Sequence, residues 1–191
     1  MSLDLSLDQL ATFKPASIFE VVGREFFTDL GKPEHDAYLL SGECYEWYYA
    51  VSKWLQPKTI LEIGVRLGYS MRSMLEGCPT ASVVGYDNES YVRGCVETTR
   101  NKLVGFDVTL HVANSQERLE AFPVVDLAHV DGDHSEVGCY HDLDLVRDAK
   151  VIICDDTTYM PQVGRAVSKW LVVHPRPHFY VPSYRGMVVI L

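Results

Sequence analysis

The chain reads as an α/β protein, a doubly wound and mostly parallel sheet with helices on both faces and an antiparallel strand at its C-terminal end. Three observations lead there. Short apolar runs alternate with helix-spaced apolar stripes from residue 44 onward. The run Ile60-Leu61-Glu62-Ile63 opens into a turn bracketed by Gly64 and Gly68 and then into a helix start. A fresh helix N-terminus after a strand offers unpaired N–H groups, which makes it a docking point for a nucleotide-like molecule. Finally, the last two apolar runs are joined only by Pro182-Ser183-Tyr184-Arg185-Gly186. A parallel crossover needs a dozen or more residues, so these runs pair antiparallel or lie apart.

Residues 1–40 are the hardest to decipher. An apolar cluster around Phe19–Leu30 predicts one or two helices, and this stretch reads as a helical extension forming a substrate-side lid on a domain of residues 41–191. Cys44, Trp47, Tyr48, Val51, Trp54 and Leu55 then fall on one helix face, and Pro57 ends that helix. Strands are expected at 59–63, 82–86, 107–112, 124–130 and 150–154. Between them lie helical stripes such as Val92, Cys95, Val96, Thr99 and Leu103. Pro161 suits a first helical turn, and Val163, Ala166, Val167, Trp170 and Leu171 complete a helix over 161–173. His178–Val181 and Met187–Leu191 are the closing strands.

Composition narrows the partners. The formal net charge is −9 and no basic patch stands out, which argues against nucleic acid and leaves small neutral or cationic ligands. No apolar run reaches the roughly 18 residues of a membrane span, and no leader pattern opens the chain. Cys44, Cys78, Cys95, Cys139 and Cys154 are scattered without a C-x-x-C pair, as expected for reduced thiols in a cytoplasmic protein. Association into a homo-oligomer stays open.

Two acidic clusters each follow a predicted strand: His129-Val130-Asp131-Gly132-Asp133-His134 and Cys154-Asp155-Asp156-Thr157. Ends of parallel strands open onto one crevice, so Asp131, Asp155 and Asp156 can converge. Crowded carboxylates raise one another's pKa, a cost that a hard cation such as Mg²⁺ removes. Strand-end aspartates also cap helices, and that reading competes for each of them singly. Asp133 reads as structural or solvated, and His129 as a core histidine inside an apolar strand. His141, Asp142 and Asp144 read as a partly solvent-facing helix surface.

On these residues the chain resembles the class I S-adenosylmethionine-dependent methyltransferases, whose seven-stranded sheet ends in a reversed strand. The likeness covers roughly residues 40–191. The Gly64–Gly68 turn lacks a middle glycine, with Arg66 in between, so the G-x-G-x-x-G fingerprint is absent. Glu62-Ile63-Gly64 with Gly68-Tyr69-Ser70 is similar to the divalent-cation-dependent O-methyltransferases of the catechol, caffeoyl-coenzyme A and macrolide-sugar kinds.

The resemblance implies that Glu62, Gly64, Arg66, Gly68, Tyr69 and Ser70 hold the methionine end of S-adenosylmethionine, Ser70 bonding its carboxylate. It implies that Asp87, with Asn88, takes the ribose, although Asp87 also suits a helix cap. Asn114, Ser115 and Gln116 would meet the adenine, with a plain cap as the other reading. Asp131, Asp155 and Asp156 would bind Mg²⁺ or another hard divalent cation, although this family carries Asp-Asn where this chain has Asp155-Asp156. His134 stands where relatives place a catalytic lysine. Imidazole is basic near neutrality, which makes His134 the expected general base beside Asp131.

The expected reaction is metal-assisted methylation of a small-molecule hydroxyl, on a phenol, catechol or sugar. Phe19, Phe26, Phe27 and Tyr159 are candidates to wall the acceptor. A metal-free methyltransferase on another acceptor and a noncatalytic cofactor-binding domain are the alternatives.

Overall fold

A computed structural model describes residues 5–27, 43–118 and 120–191. Its centre is a seven-stranded sheet. The strands are β1 (Thr59–Ile63), β2 (Ser82–Asp87), β3 (Val108–Val112), β4 (Leu127–Val130), β5 (Val151–Cys154), β6 (His178–Val181) and β7 (Met187–Ile190). They lie in the order β3-β2-β1-β4-β5-β7-β6. The first five are parallel, and β7 runs antiparallel to both β5 and β6. The closing hairpin is therefore present as expected, with β7 inserted between its neighbours.

The long helices are α3 (Glu43–Leu55), α4 (Tyr69–Gly77), α5 (Cys95–Lys102), α6 (Glu136–Leu145) and α7 (Pro161–Val173). Alternation along each strand splits the core into two layers. Ile60, Val83, Leu127, Ile153 and Val189 face α3, α4 and α5. Leu61, Ile63, Ala128, Val130, Ile152 and Val188 face α6 and α7, whose Trp170 is fully buried. Among the described residues no helix is long and apolar enough to cross a membrane. All five cysteines are free thiols.

The N-terminal stretch forms two short helices, α1 (Leu7–Ala11) and α2 (Ile18–Val22), and a 3₁₀ turn at Arg24–Phe27. Ser6 caps α1 through a capping box with Gln9. Leu10, Ile18 and Phe27 are buried in the same core layer as α3 and α4, so this segment packs as part of the domain. Residues 28–42, including the end of the expected Phe19–Leu30 helical cluster, lie outside the described residues.

Two expectations are corrected. The run at 124–130 pairs only over Leu127–Val130, because the Asp126 carboxylate accepts the backbone N–H groups of Lys58 and Thr59 and turns the preceding residues into a loop. Asp142 does not face solvent. It is fully buried on α6, where its carboxylate accepts the Gln116 side-chain amide at 2.9 Å and the Asp133 N–H at 3.3 Å.

Candidate active site

The crevice forms where the strand order reverses, between the carboxyl ends of β1 and β4, the usual ligand site of such sheets. There the Asp131 N–H donates to the Ile63 carbonyl at 2.9 Å. Gly64 follows at φ +91°, and a Cβ on it would lie 2.0 Å from the Asp131 carbonyl oxygen. Only glycine fits. Arg66 adopts φ +46°, unusual for a long side chain, and Gly68 at φ +72° is the N-cap of α4. The turn is held by the Asp87 carboxylate, which accepts the Arg66 N–H at 2.8 Å, and by the Thr99 hydroxyl, which donates to the Arg66 carbonyl.

Beneath the turn lies a buried polar group. Glu62 and His129 are register partners on β1 and β4, both fully buried, with Glu62 Oε1 2.8 Å from His129 Nδ1. Burial opposes a charge on His129, but the hydrogen bond to Glu62 and its negative charge raise the imidazole pKa above its ordinary value. The Ser70 hydroxyl donates to the same Glu62 oxygen. Glu62 thus props the turn from below rather than lining the cavity, and His129 is the core histidine expected. Ser70, assigned above to a cofactor carboxylate, sits on the wall with its hydroxyl turned to Glu62.

Two cavities open at this edge, of about 660 and 390 Å³, and share Gly64, Arg66, Asp131 and Arg185. The larger brings together Asp87, Asn88, Asn114, Ser115, Gln116 and His134. Asp87 Oδ1 also accepts the Glu89 N–H at 2.6 Å, so its carboxylate is fixed at the wall with lone pairs remaining. Asn114 caps a 3₁₀ turn at Ser115–Glu117 by accepting the Gln116 N–H. The smaller cavity runs under α3, past Cys44, Tyr45 and Tyr48, to Tyr69 and Asp155.

The three strand-end aspartates do converge, but not as a trio around one point. His134 Nε2 lies 3.0 Å from Asp131 Oδ1 and 3.6 Å from Asp156 Oδ2. Asp131, His134 and Asp156 offer ligand atoms within 4.8 Å of one another. Asp155 turns aside: its Oδ2 accepts the Tyr48 hydroxyl at 2.7 Å, and its buried Oδ1 has no partner among the described residues. Asp156, fully buried at φ +61°, accepts Arg185 through both oxygens, from Nε at 2.5 Å and Nη2 at 2.6 Å.

The electrostatics follow from three carboxylates facing two cations. The hydrogen bond to Asp131 raises the His134 imidazole to about 9 despite partial burial, so it is protonated at neutral pH. Burial works against the Asp131 anion, yet His134, His129 and Arg185 hold it below the usual carboxylate range. Burial, with Asp131 and Asp156 nearby, pushes Asp155 up to about 6. Asp155 is thus the carboxylate that meets a phenol rather than a cation.

A family model described as a methyltransferase domain matches residues 61–157, from within β1 to the end of the second acidic cluster. This chain belongs to that methyltransferase family. Solved structures share its fold. The methyltransferase PaMTH1 of Podospora anserina, SAH-bound, is 20% identical with a TM-score of 0.66, covering 100% of this chain and 98% of that one. The O-methyltransferase TomG of Streptomyces achromogenes, involved in tomaymycin synthesis and solved with SAM, is 19% identical (TM-score 0.61; 99% and 91% covered). An O-methyltransferase of Bacillus cereus in complex with SAH is 16% identical (TM-score 0.57; 95% and 99% covered). No curated protein matches the chain in sequence.

In this methyltransferase the expected Mg²⁺ ligands, Asp131, Asp155 and Asp156, do not form one ligand set: Asp131 and Asp156 group with His134, and Asp155 stands apart. Both Asp156 oxygens accept a guanidinium, Asp155 accepts Tyr48, and His134 completes the grouping in place of a third carboxylate. Sequence reasoning missed the two residues that decide this. Tyr48 fell on a core stripe, and Arg185 belonged to no motif. The available signal was the short Pro182–Gly186 turn, since a reversed final strand must begin at the edge where the parallel strands end.

Proposed function

We propose that the protein transfers a methyl group from S-adenosylmethionine to a hydroxyl of a small molecule. The observation that carries this is the pair of cavities meeting at Gly64, Arg66, Asp131 and Arg185, on a fold shared with SAM- and SAH-bound relatives. An extended cofactor suits the larger cavity. Asp87 accepts from the ribose hydroxyls, Asn88, Ser115 and Gln116 border the adenosine, and the Gly64–Ser70 turn takes the methionine end. The cofactor supplies a sulfonium-bound methyl, and the chain supplies orientation and charge.

The acceptor enters beside Asp131 and His134, near Tyr159, Met160 and Tyr45. Its oxygen attacks the methyl carbon as the bond to sulfur breaks, leaving a neutral thioether and one proton to be removed. His134 takes that proton once its own has been released, a general-base contribution of roughly 10²–10⁴ in rate. The described part of the N-terminal stretch borders the acceptor side, where Phe26 and Phe27 pack against Tyr69 of the smaller cavity. Metal assistance, expected from the sequence, has only the Asp131–His134–Asp156 grouping in its favour, and no step here passes through a metal.

Calorimetry with S-adenosylmethionine, followed by a methyl-acceptor screen read by mass spectrometry, tests this reading. One-to-one binding is expected, weakened at least about tenfold in Asp87→Ala by loss of charge-assisted hydrogen bonds. A chain that binds no cofactor, or binds it with Asp87→Ala indistinguishable, refutes the assignment.

A further inference from the structure

Arg185 sits where the resemblance would put a divalent ion, and we propose that it is this protein's built-in replacement for one: a fixed organic cation that pairs with Asp156, partly offsets the charge of Asp131 and Asp155, and makes the site metal-independent. The activity concerned is the methyl transfer proposed above, but the cation's place is argued from geometry alone.

The guanidinium grips both oxygens of Asp156, at 2.5 and 2.6 Å, in the fork geometry that suits carboxylates. Asp156 is fully buried and borders neither cavity, whereas Arg185 borders both and stands between Asp156 and the open space. The arginine is also anchored through its backbone. Its carbonyl accepts the N–H groups of Thr158 at 3.0 Å and Tyr159 at 2.9 Å, and the Gly186 carbonyl accepts the Thr157 N–H at 3.1 Å. Gly186 takes φ +75°, and a Cβ there would meet the Thr158 hydroxyl oxygen at 2.2 Å. The turn carrying the cation and the loop carrying Asp155 and Asp156 are therefore locked together. An ion pair built on two interlocked loops is a standing part of the site, unlike one made by a long side chain free to swing away.

One difference from a metal follows. A guanidinium fills its own coordination sphere and cannot bind the acceptor oxygen directly, so Arg185 acts as a positioning residue that sets the charge around Asp131 and His134. Divalent ions compete poorly, because the site already holds a delocalised charge of pKa above any working pH.

Mn²⁺ titration of the full chain, followed by electron paramagnetic resonance and competed with Mg²⁺, tests the proposal without an acceptor. The wild-type protein is expected to show no stoichiometric site at Mn²⁺ up to about 1 mM, the weak end of oxygen-ligand affinities. Arg185→Ala should gain one site per chain, tighter by about a hundredfold or more, because a positive charge a few ångströms from the ion is removed. Asp156→Asn added to Arg185→Ala should abolish the gain. A wild-type site competed by Mg²⁺ overturns the proposal, as does a folded Arg185→Ala that gains none. Should that variant not fold, the wild-type titration alone still decides. Cofactor calorimetry on the same samples separates a failure here from a failure of the methyl-transfer reading.

Discussion

Gly64 is the point at which a single carbon atom blocks the site. Its φ of +91° disfavours any side chain, and the Asp131 carbonyl oxygen would lie 2.0 Å from a Cβ. Gly64→Ala should lose about 1–3 kcal/mol from backbone conformation alone, with the clash added, and S-adenosylmethionine binding should vanish. Urea denaturation and calorimetry read the two effects separately. At His134 the informative variable is pH. Asp131 holds the imidazole proton up to about 9, so if His134 is the base, log(kcat/KM) should climb with pH and level near 9. Asp131→Asn should move that midpoint down toward about 6.5, the ordinary imidazole value. A profile flat from pH 6 to 10 means the base lies elsewhere. The same shift has a stability side. The His134–Asp131 contribution is fully present below the unfolded imidazole pKa, about 6.5, and is lost as pH rises through about 9.

The elements explain why these residues meet. β1 and β4 are adjacent and in register, so Glu62 faces His129, and the Ser70 hydroxyl at the first turn of α4 reaches the same carboxylate. Glu62→Ala strips a buried imidazole of its partner and should destabilise the fold by about 3–5 kcal/mol. A shift of the urea midpoint smaller than about 1 kcal/mol would show that the pair is not structural. The alternation of apolar runs and stripes made β1, β2, β5, α7 and the closing hairpin readable within a residue or two of their ends. The glycine turn was legible for the same reason, because a strand running into Gly64 and Gly68 has few uses other than a close approach. What periodicity could not convey was the facing of polar side chains. Asp142 on α6 looked like a solvent-side residue because an aspartate beside a histidine in a helix carries no mark of burial. Asp155 and Asp156 are neighbours in sequence, yet one faces Tyr48 and the other Arg185, since the left-handed backbone at Asp156 turns its side chain away. Arg185 reaches the site only because β7 reverses direction, which puts the start of that strand beside the ends of β4 and β5.

At the scale of the molecule, the two cavities lie along one edge of a sheet whose two core layers are already closed, so a cofactor bound there would complete a crevice in a preformed scaffold. Saturation should therefore stabilise the whole chain as one unit. At a free concentration of about 100 times Kd the gain is about 2.7 kcal/mol. Thermal unfolding should show a single transition moving upward, and EDTA should leave it in place. Two separating transitions would mean that the cofactor grips only one layer. The position of β7 carries a consequence for how the molecule is made. It follows every other described strand in sequence yet sits inside the sheet, between β5 and β6. A ribosome thus delivers all three aspartates before the arginine that pairs with Asp156. The Asp156–Arg185 ion pair and the β5–β7 ladder can therefore form only after the closing hairpin has been made.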